Sequence, residues 1–172
     1  TSQGYDKDLA SYPDDLLKIK GICSLYSKTS AAVGTDIKRP SLTGIHLEIY
    51  SDTVRASACD AFRMAVTEIK CNCGGKMSVT VPKQSFFYLA NAVEDKDLLE
   101  FGLNANTLVF IKSDMLFSTR IISEPFMNID RLLNMPDKML VAKIKANDMK
   151  TMAETVSMIT NVSEDTAPVL LK

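Results

Sequence analysis

Little in this sequence points to catalysis. Its 172 residues include one histidine, His46. Structural zinc sites use two C-x2-4-C pairs, or one such pair with two histidines. The four cysteines are Cys23, Cys59, Cys71 and Cys73, and the nearest pair is a C-x-C, Cys71-Asn72-Cys73. That spacing excludes an ordinary zinc site and leaves two thiols in a turn-rich connector ending at Gly74-Gly75. No basic segment followed by an apolar one opens the chain, so neither a signal peptide nor a disulfide framework is expected. No apolar run approaches the roughly 18 residues of a membrane span. Twenty basic residues face twenty-one acidic ones, a net charge of -1. Bulk positive charge therefore cannot drive nucleic-acid binding, and any such contact needs one locally basic face. Neither a phosphate-cradling glycine loop nor a G-x-S-x-G elbow occurs. No catalytic residue, metal ligand or cofactor is expected. His46 and Glu48 share one strand face and could act as an acid–base pair, but surface strand residues account for them more simply.

What is present is an ordinary globular mixture, 46% hydrophobic and 24% charged. That composition rules out disorder and suits about one domain with a real core. Residues 1–13 are polar and read as a linker or arm. A short strand is expected near Leu16 and Leu17. Then Ile22, Leu25, Tyr26, Thr29 and Val33 recur at helical spacing, with Gly34 closing the helix. Alternation places strands at Thr43–Tyr50, Val54–Cys59 and Arg63–Lys70. After the cysteine loop, Met77–Val81 alternates again. Pro82 suits the first turn of a helix whose buried face is Phe86, Leu89, Ala90 and Val93. Strands follow at Leu98–Leu103, Thr107–Ile111 and Met115–Ile122.

The order is β-α-β-β-β twice, over about 14–70 and 76–123. Leu47-Glu48-Ile49 matches Leu99-Glu100-Phe101. With two residues inserted in the second copy's turn, Thr53 matches Thr107 and Asp60 matches Asp114. An internal duplication of an α+β unit explains this. Residues 124–140 are irregular and read as a connector. A third β-α opening follows over 141–172: alternation at Leu140–Lys145, then a helix with the stripe Met149, Met152, Ala153, Val156.

Four stretches carry a resemblance: Arg39-Pro40-Ser41-Leu42-Thr43-Gly44, Ala58-Cys59-Asp60-Ala61-Phe62-Arg63-Met64-Ala65, Val79-Thr80-Val81-Pro82-Lys83, and Phe117–Ile122 with Phe126 and Asp130-Arg131-Leu132-Leu133. In order and spacing these resemble the bacterial sliding clamps, the beta subunits of DNA polymerase III. The matched patterns are R-P-x-L-x-G, A-T-D-G-H-R-L-A, V-x-V-P-[RK] and F-P-D-Y-x-R-V-x-P. The resemblance implies the DNA clamp fold: a middle domain at 14–123 with two adjacent helices packed on antiparallel sheets, then the start of a last domain. It implies a cytoplasmic, non-enzymatic processivity factor whose homodimeric ring encircles duplex DNA. It also implies a pocket for polymerase and clamp-loader peptides. By position the pocket would use Leu42, Cys59, Ala61, Phe62, Arg63, Met64, Met127, Arg131 and Leu132. Lys20, Lys28, Lys38, Arg39 and Lys83 would face DNA. The chain departs from the pattern at Cys59, Ala61, Phe62, Met127-Asn128-Ile129 and Asn134. With the last domain incomplete, this segment by itself is expected to be a monomer with weak peptide binding. Two other readings are an unrelated α+β peptide-binding module and an enzyme built on His46, Glu48 or the Cys71/Cys73 pair.

Overall fold

The computed structural model describes residues 13, 15–133 and 143–160. They fall into two units, one ending at Ile129 and one beginning at Asp130. In the first, β1 (Leu17–Ile19) leads to α1 (Ile22–Thr29), then β2 (Gly44–Ile49), β3 (Thr53–Cys59) and β4 (Met64–Lys70). The pattern repeats as β5 (Met77–Pro82), α2 (Lys83–Ala92), β6 (Leu99–Asn104), β7 (Thr107–Lys112) and β8 (Met115–Arg120). The expected duplicated α+β order is the observed one.

The eight strands make two antiparallel sheets, ordered β4-β3-β2-β5 and β1-β6-β7-β8. Each copy therefore lends its first strand to the other copy's sheet: β1 pairs with β6 and β5 with β2. The chain leaving each copy then returns to that copy's own first strand. The Lys18 amide donates to the Cys73 carbonyl at 3.0 Å, and the Ile122 amide to the Thr80 carbonyl at 2.8 Å. The exchange makes one core rather than two. Ile45, Leu47 and Ile49 of β2 share a buried cluster with Leu99 and Phe101 of β6 and Phe86 and Leu89 of α2. Each such side chain contributes roughly 1.5–3 kcal/mol by leaving water.

The helices pack on each other, antiparallel. The Cys23 thiol donates to the carbonyls of Ala90 and Val93 at 3.2 and 3.1 Å. Further along, the Tyr26 ring meets Phe86 and Phe87 at 6.0 and 5.8 Å. Gly21, at φ 75°, precedes α1 without a side-chain cap. The cap comes instead from the loop after α2: Asp95 accepts the Ser24 amide at 2.8 Å and the Ser24 hydroxyl in a short bond. These bonds from Ser24 hold the Asp95 carboxyl below its usual range.

The structure corrects five details. First, α1 ends at Thr29 and a 3-10 turn follows over Ser30–Ala32; Val33 is extended. The Thr29 hydroxyl takes the Leu25 carbonyl at 2.6 Å, and Gly34 donates to the Leu42 carbonyl at 2.8 Å rather than closing a helix. Second, both β2–β3 and β6–β7 turn through two residues, since Tyr50 bonds back to Thr53 and Asn104 pairs with Thr107. The second copy has no insertion there. Leu47 is the counterpart of Phe101, not Leu99; a two-residue slip keeps every side chain on its face, so alternation cannot detect it. Third, Cys71 and Cys73 lie in the connector between β4 and β5, as expected, but their side chains are buried in the core. Burial first, and Cys71 second, push the Cys73 thiol up to about 12. Fourth, His46 is not an open surface residue. Its ring stacks on Phe126 at 4.7 Å and 7°, with Nδ1 2.9 Å from the Thr80 hydroxyl. Fifth, a short helix, α3 (Ile129–Leu133), lies inside the stretch read as irregular.

The second unit contains α4 (Ala146–Thr160). Of its stripe, Met149 and Met152 are 39% and 43% exposed. Of the strand expected at Leu140–Lys145, residues 143–145 carry no regular structure and the remainder lies outside the described residues, as do 1–12 and 161–172.

Candidate docking cleft and helical face

The first copy has a long helix-to-strand link and a long β3–β4 turn, and the two meet. Between Cys59 and its partner Met64 the hairpin turns through Asp60-Ala61-Phe62-Arg63. Asp60 organises this turn. Its Oδ1 accepts the amides of Phe62 and Arg63 at 3.1 and 3.0 Å, and its own amide donates to the Arg63 carbonyl at 3.2 Å. The Arg63 guanidinium closes on Oδ2 at 2.7 Å. Partial desolvation pushes the Asp60 carboxyl up, but the two amides and the guanidinium outweigh it and hold the group low. Ala61 stands at φ 75°, a left-handed conformation that costs an L-residue roughly 1–2 kcal/mol. The clamp pattern has glycine at this place.

Opposite the turn, the link has its own tight bend. The Lys38 amide donates to Asp36 Oδ1 at 2.9 Å and the Arg39 amide to the Asp36 carbonyl at 3.0 Å. Pro40–Thr43 then forms a 3-10 turn into β2. Between link and turn lies an open cleft of about 420 Å³. Val33 and Leu42, both buried, give it an apolar floor. Asp36 and Arg39 line one side, and Asp60, Ala61, Phe62 and Arg63 the other. Its polar lining carries two acids and two arginines, so it is neutral overall. Phe62 is 98% exposed.

Of the residues expected in a peptide pocket, the cleft gathers Leu42, Ala61, Phe62 and Arg63. Cys59 is buried beneath the turn, its sulfur accepting the Ala61 amide at 3.4 Å. Met64 opens β4, half-buried. Met127 is half-buried beside Phe126 and is not among the cleft's lining residues. Arg131 and Leu132 belong to α3 in the second unit. Val33, Asp36 and Asp60 were not anticipated; the Asp-x-Lys spacing before Pro40, which signals a side-chain-capped turn, could have exposed Asp36. Arg39, expected at DNA, stands in the cleft wall.

The other expected cations sit differently. Lys28 occupies the last turn of α1 and Lys83 opens α2. Lys20 lies just before α1, and Lys38 is exposed in the link. Neither helix contains an acidic residue, although the chain has 21 acids. The exposed side of α2 carries Gln84, Phe87, Tyr88 and Asn91. Among the described residues, no group of three or more His, Cys, Asp or Glu side chains is placed to hold a metal. No helix among them is long and apolar enough to cross a membrane.

Comparison with known proteins gives one consistent picture. Residues 17–128 match the family model described as DNA polymerase III beta subunit, central domain. The beta sliding clamp of Lactococcus lactis is 24% identical over 143 residues, covering 77% of this chain and 38% of that protein. That of Bacillus subtilis is 26% identical over 129 residues, covering 73% and 33%. The chain thus spans about a third of the length of these curated relatives. The crystal structure of the Bacillus subtilis DNA polymerase sliding clamp superposes with a TM-score of 0.76 at 17% identity, over 96% of this chain and 43% of that one. A Pseudomonas aeruginosa sliding clamp bound to griselimycin superposes with a TM-score of 0.66 at 19% identity, over 78% and 38%. At these identities the structures establish the fold.

Proposed function

Because the chain belongs to the DNA polymerase III beta subunit family through its central domain, we propose that it is one arc of a sliding clamp, a non-enzymatic processivity factor that encircles duplex DNA in the cytoplasm. A homodimeric ring tethers by topology, so each domain needs only weak, sequence-independent phosphate contact. The observation that carries this reading is the paired helical face: two antiparallel helices that hold Lys28 and Lys83 and no acid, on a chain whose net charge is -1. Charge is sorted to one face instead of added in bulk. Lys20 and Lys38, from the loops on either side of α1, are the further proposed contacts.

The second role is docking. Val33 and Leu42 offer an apolar floor with Ala61, Phe62 and Arg63 at its rim, the surface that a short linear peptide with Leu or Phe anchors needs; Cys59 and Met64 flank the turn that carries the rim. Polymerase and clamp-loader peptides are the proposed occupants. The test is topological: the full-length protein, loaded onto nicked circular DNA, remains bound at 0.5 M salt, about the level that strips simple electrostatic binders, and is released when the circle is cut. Equal loss from circular and linear DNA would defeat the reading.

A further inference from the structure

We propose that the α1–α2 face holds single-stranded DNA, its bases stacking on Tyr88 and Phe87 and its phosphates drawn to Lys28 and Lys83. This rests on the clamp reading above for the face and adds a second form of ligand. Three observations combine. Phe86 and Leu89 fill the buried stripe of α2, yet the two rings between them stand in water, Phe87 40% and Tyr88 56% exposed. These rings form a row with a third. Tyr26 of α1 lies 5.8 Å from Phe87, and Phe87 5.7 Å from Tyr88, with planes inclined at 56° and 59°. The row belongs to helices that hold cations and no acid. Lys28 ends α1 and Lys83 opens α2, so the antiparallel pairing brings them to one end, and Lys83 is one turn from Phe87 on the same side of α2. The acids that follow α2, Glu94, Asp95 and Asp97, lie past its far end and are held by Lys96, Ser24 and Lys112.

Exposed rings beside ammonium groups suit a polyanion that also carries flat apolar faces. In a duplex those faces are closed within the stack, and only phosphates, sugars and base edges are offered. In a single strand every base has a face to stack on an aromatic side chain, whatever its sequence. Spacing favours the single strand too. The steps of 5.7 and 5.8 Å between inclined rings exceed the roughly 3.4 Å per base of a duplex strand. A flexible strand can spread and turn its bases to meet them; a stacked duplex cannot. An apolar partner helix would leave Lys28 and Lys83 unused. A ring sliding on duplex would thus be held where the duplex gives way to single strand.

The experiment is fluorescence anisotropy with the full-length protein at about 50 mM salt, where phosphate contacts are strong. Its probes are an oligothymidylate of about 16 nucleotides, an abasic strand of the same length, which keeps the phosphates without the bases, and the duplex formed with oligodeoxyadenylate. The proteins are wild type, Tyr88→Ala and Tyr88→Phe. Tyr88 lies outside the buried core, so each variant retains the wild-type thermal transition. Wild type should bind oligothymidylate roughly tenfold tighter than the abasic strand, a preference that Tyr88→Ala largely loses and Tyr88→Phe keeps. Equal binding of the two strands by wild type, or a preference that survives Tyr88→Ala, would overturn the stacking. So would an equal loss of duplex affinity in Tyr88→Ala, which would make the rings a duplex contact. Equal loss of wild type from circular and linear DNA would instead remove the clamp reading, and this inference with it.

Discussion

The two copies of the β-α-β-β-β unit share a scaffold and differ in their loops, and the differences make the site. In the first copy the residues between α1 and β2 run 30–43; in the second those between α2 and β6 run 93–98. The β3–β4 turn has four residues, Asp60–Arg63, where β7–β8 turns through Ser113-Asp114 alone. Both longer loops of the first copy line the cleft, and the second copy has neither. Duplication supplied the shared core and the helical face. The two longer loops of the first half form the cleft.

The sharpest way to break this comparison is to test the shared core. Leu47→Ala in the first copy and its counterpart Phe101→Ala in the second each remove a fully buried side chain. Each should cost about 3–4 kcal/mol in chemical denaturation, within one cooperative transition. Two separate transitions would show that the halves have independent cores. The next effect concerns the helix pair. Asp95→Ala removes the cap that the second copy lends to α1 and should cost about 1–2 kcal/mol. Because the Asp95 carboxyl is held below its usual value, this contribution is present above about pH 4 and lost as pH falls through the folded value. Wild type and variant should therefore converge in acid; a constant gap between them would argue against the cap.

Smaller effects belong to the first copy alone. Ala61→Gly relieves the left-handed conformation at the cleft and should stabilise by about 1 kcal/mol, measured as a raised denaturation midpoint. No gain would mean that the turn is not strained. His46, whose second-copy counterpart is Glu100, is held below its ordinary pKa by burial, against the upward pull of Glu48. The unfolded chain then binds the extra proton first. Stability should fall on acidification from about pH 7.5 to 5.5, and His46→Gln should flatten that slope. A slope that survives the substitution would assign it elsewhere.

Much of the scaffold was legible in sequence because it is local. Alternation in Ile45, Leu47 and Ile49 marks a strand with one wet face, and Ser51-Asp52 marks its turn. Phe86 and Leu89 mark a helix. What escaped is non-local. No periodicity reveals that β1 and β5 exchange sheets, or that Phe126 covers His46 from a segment 80 residues away. Helix α3 spans five residues between Pro125 and Pro136, too short to show a period. At the site, the resemblance located the Ala61–Arg63 wall. The opposite wall, Asp36 with Arg39, and Val33 in the floor were reached only when the fold brought the link against the turn.

The most direct test of this division is a residue-resolved footprint. Amide chemical shifts of the full-length protein, titrated with a short linear peptide carrying Leu and Phe anchors, should move at 33–42 and 60–63 and stay fixed at 93–98 and 113–114. Shifts in the second copy's loops, or none at the first copy's, would contradict the claim that the two longer loops form the docking site.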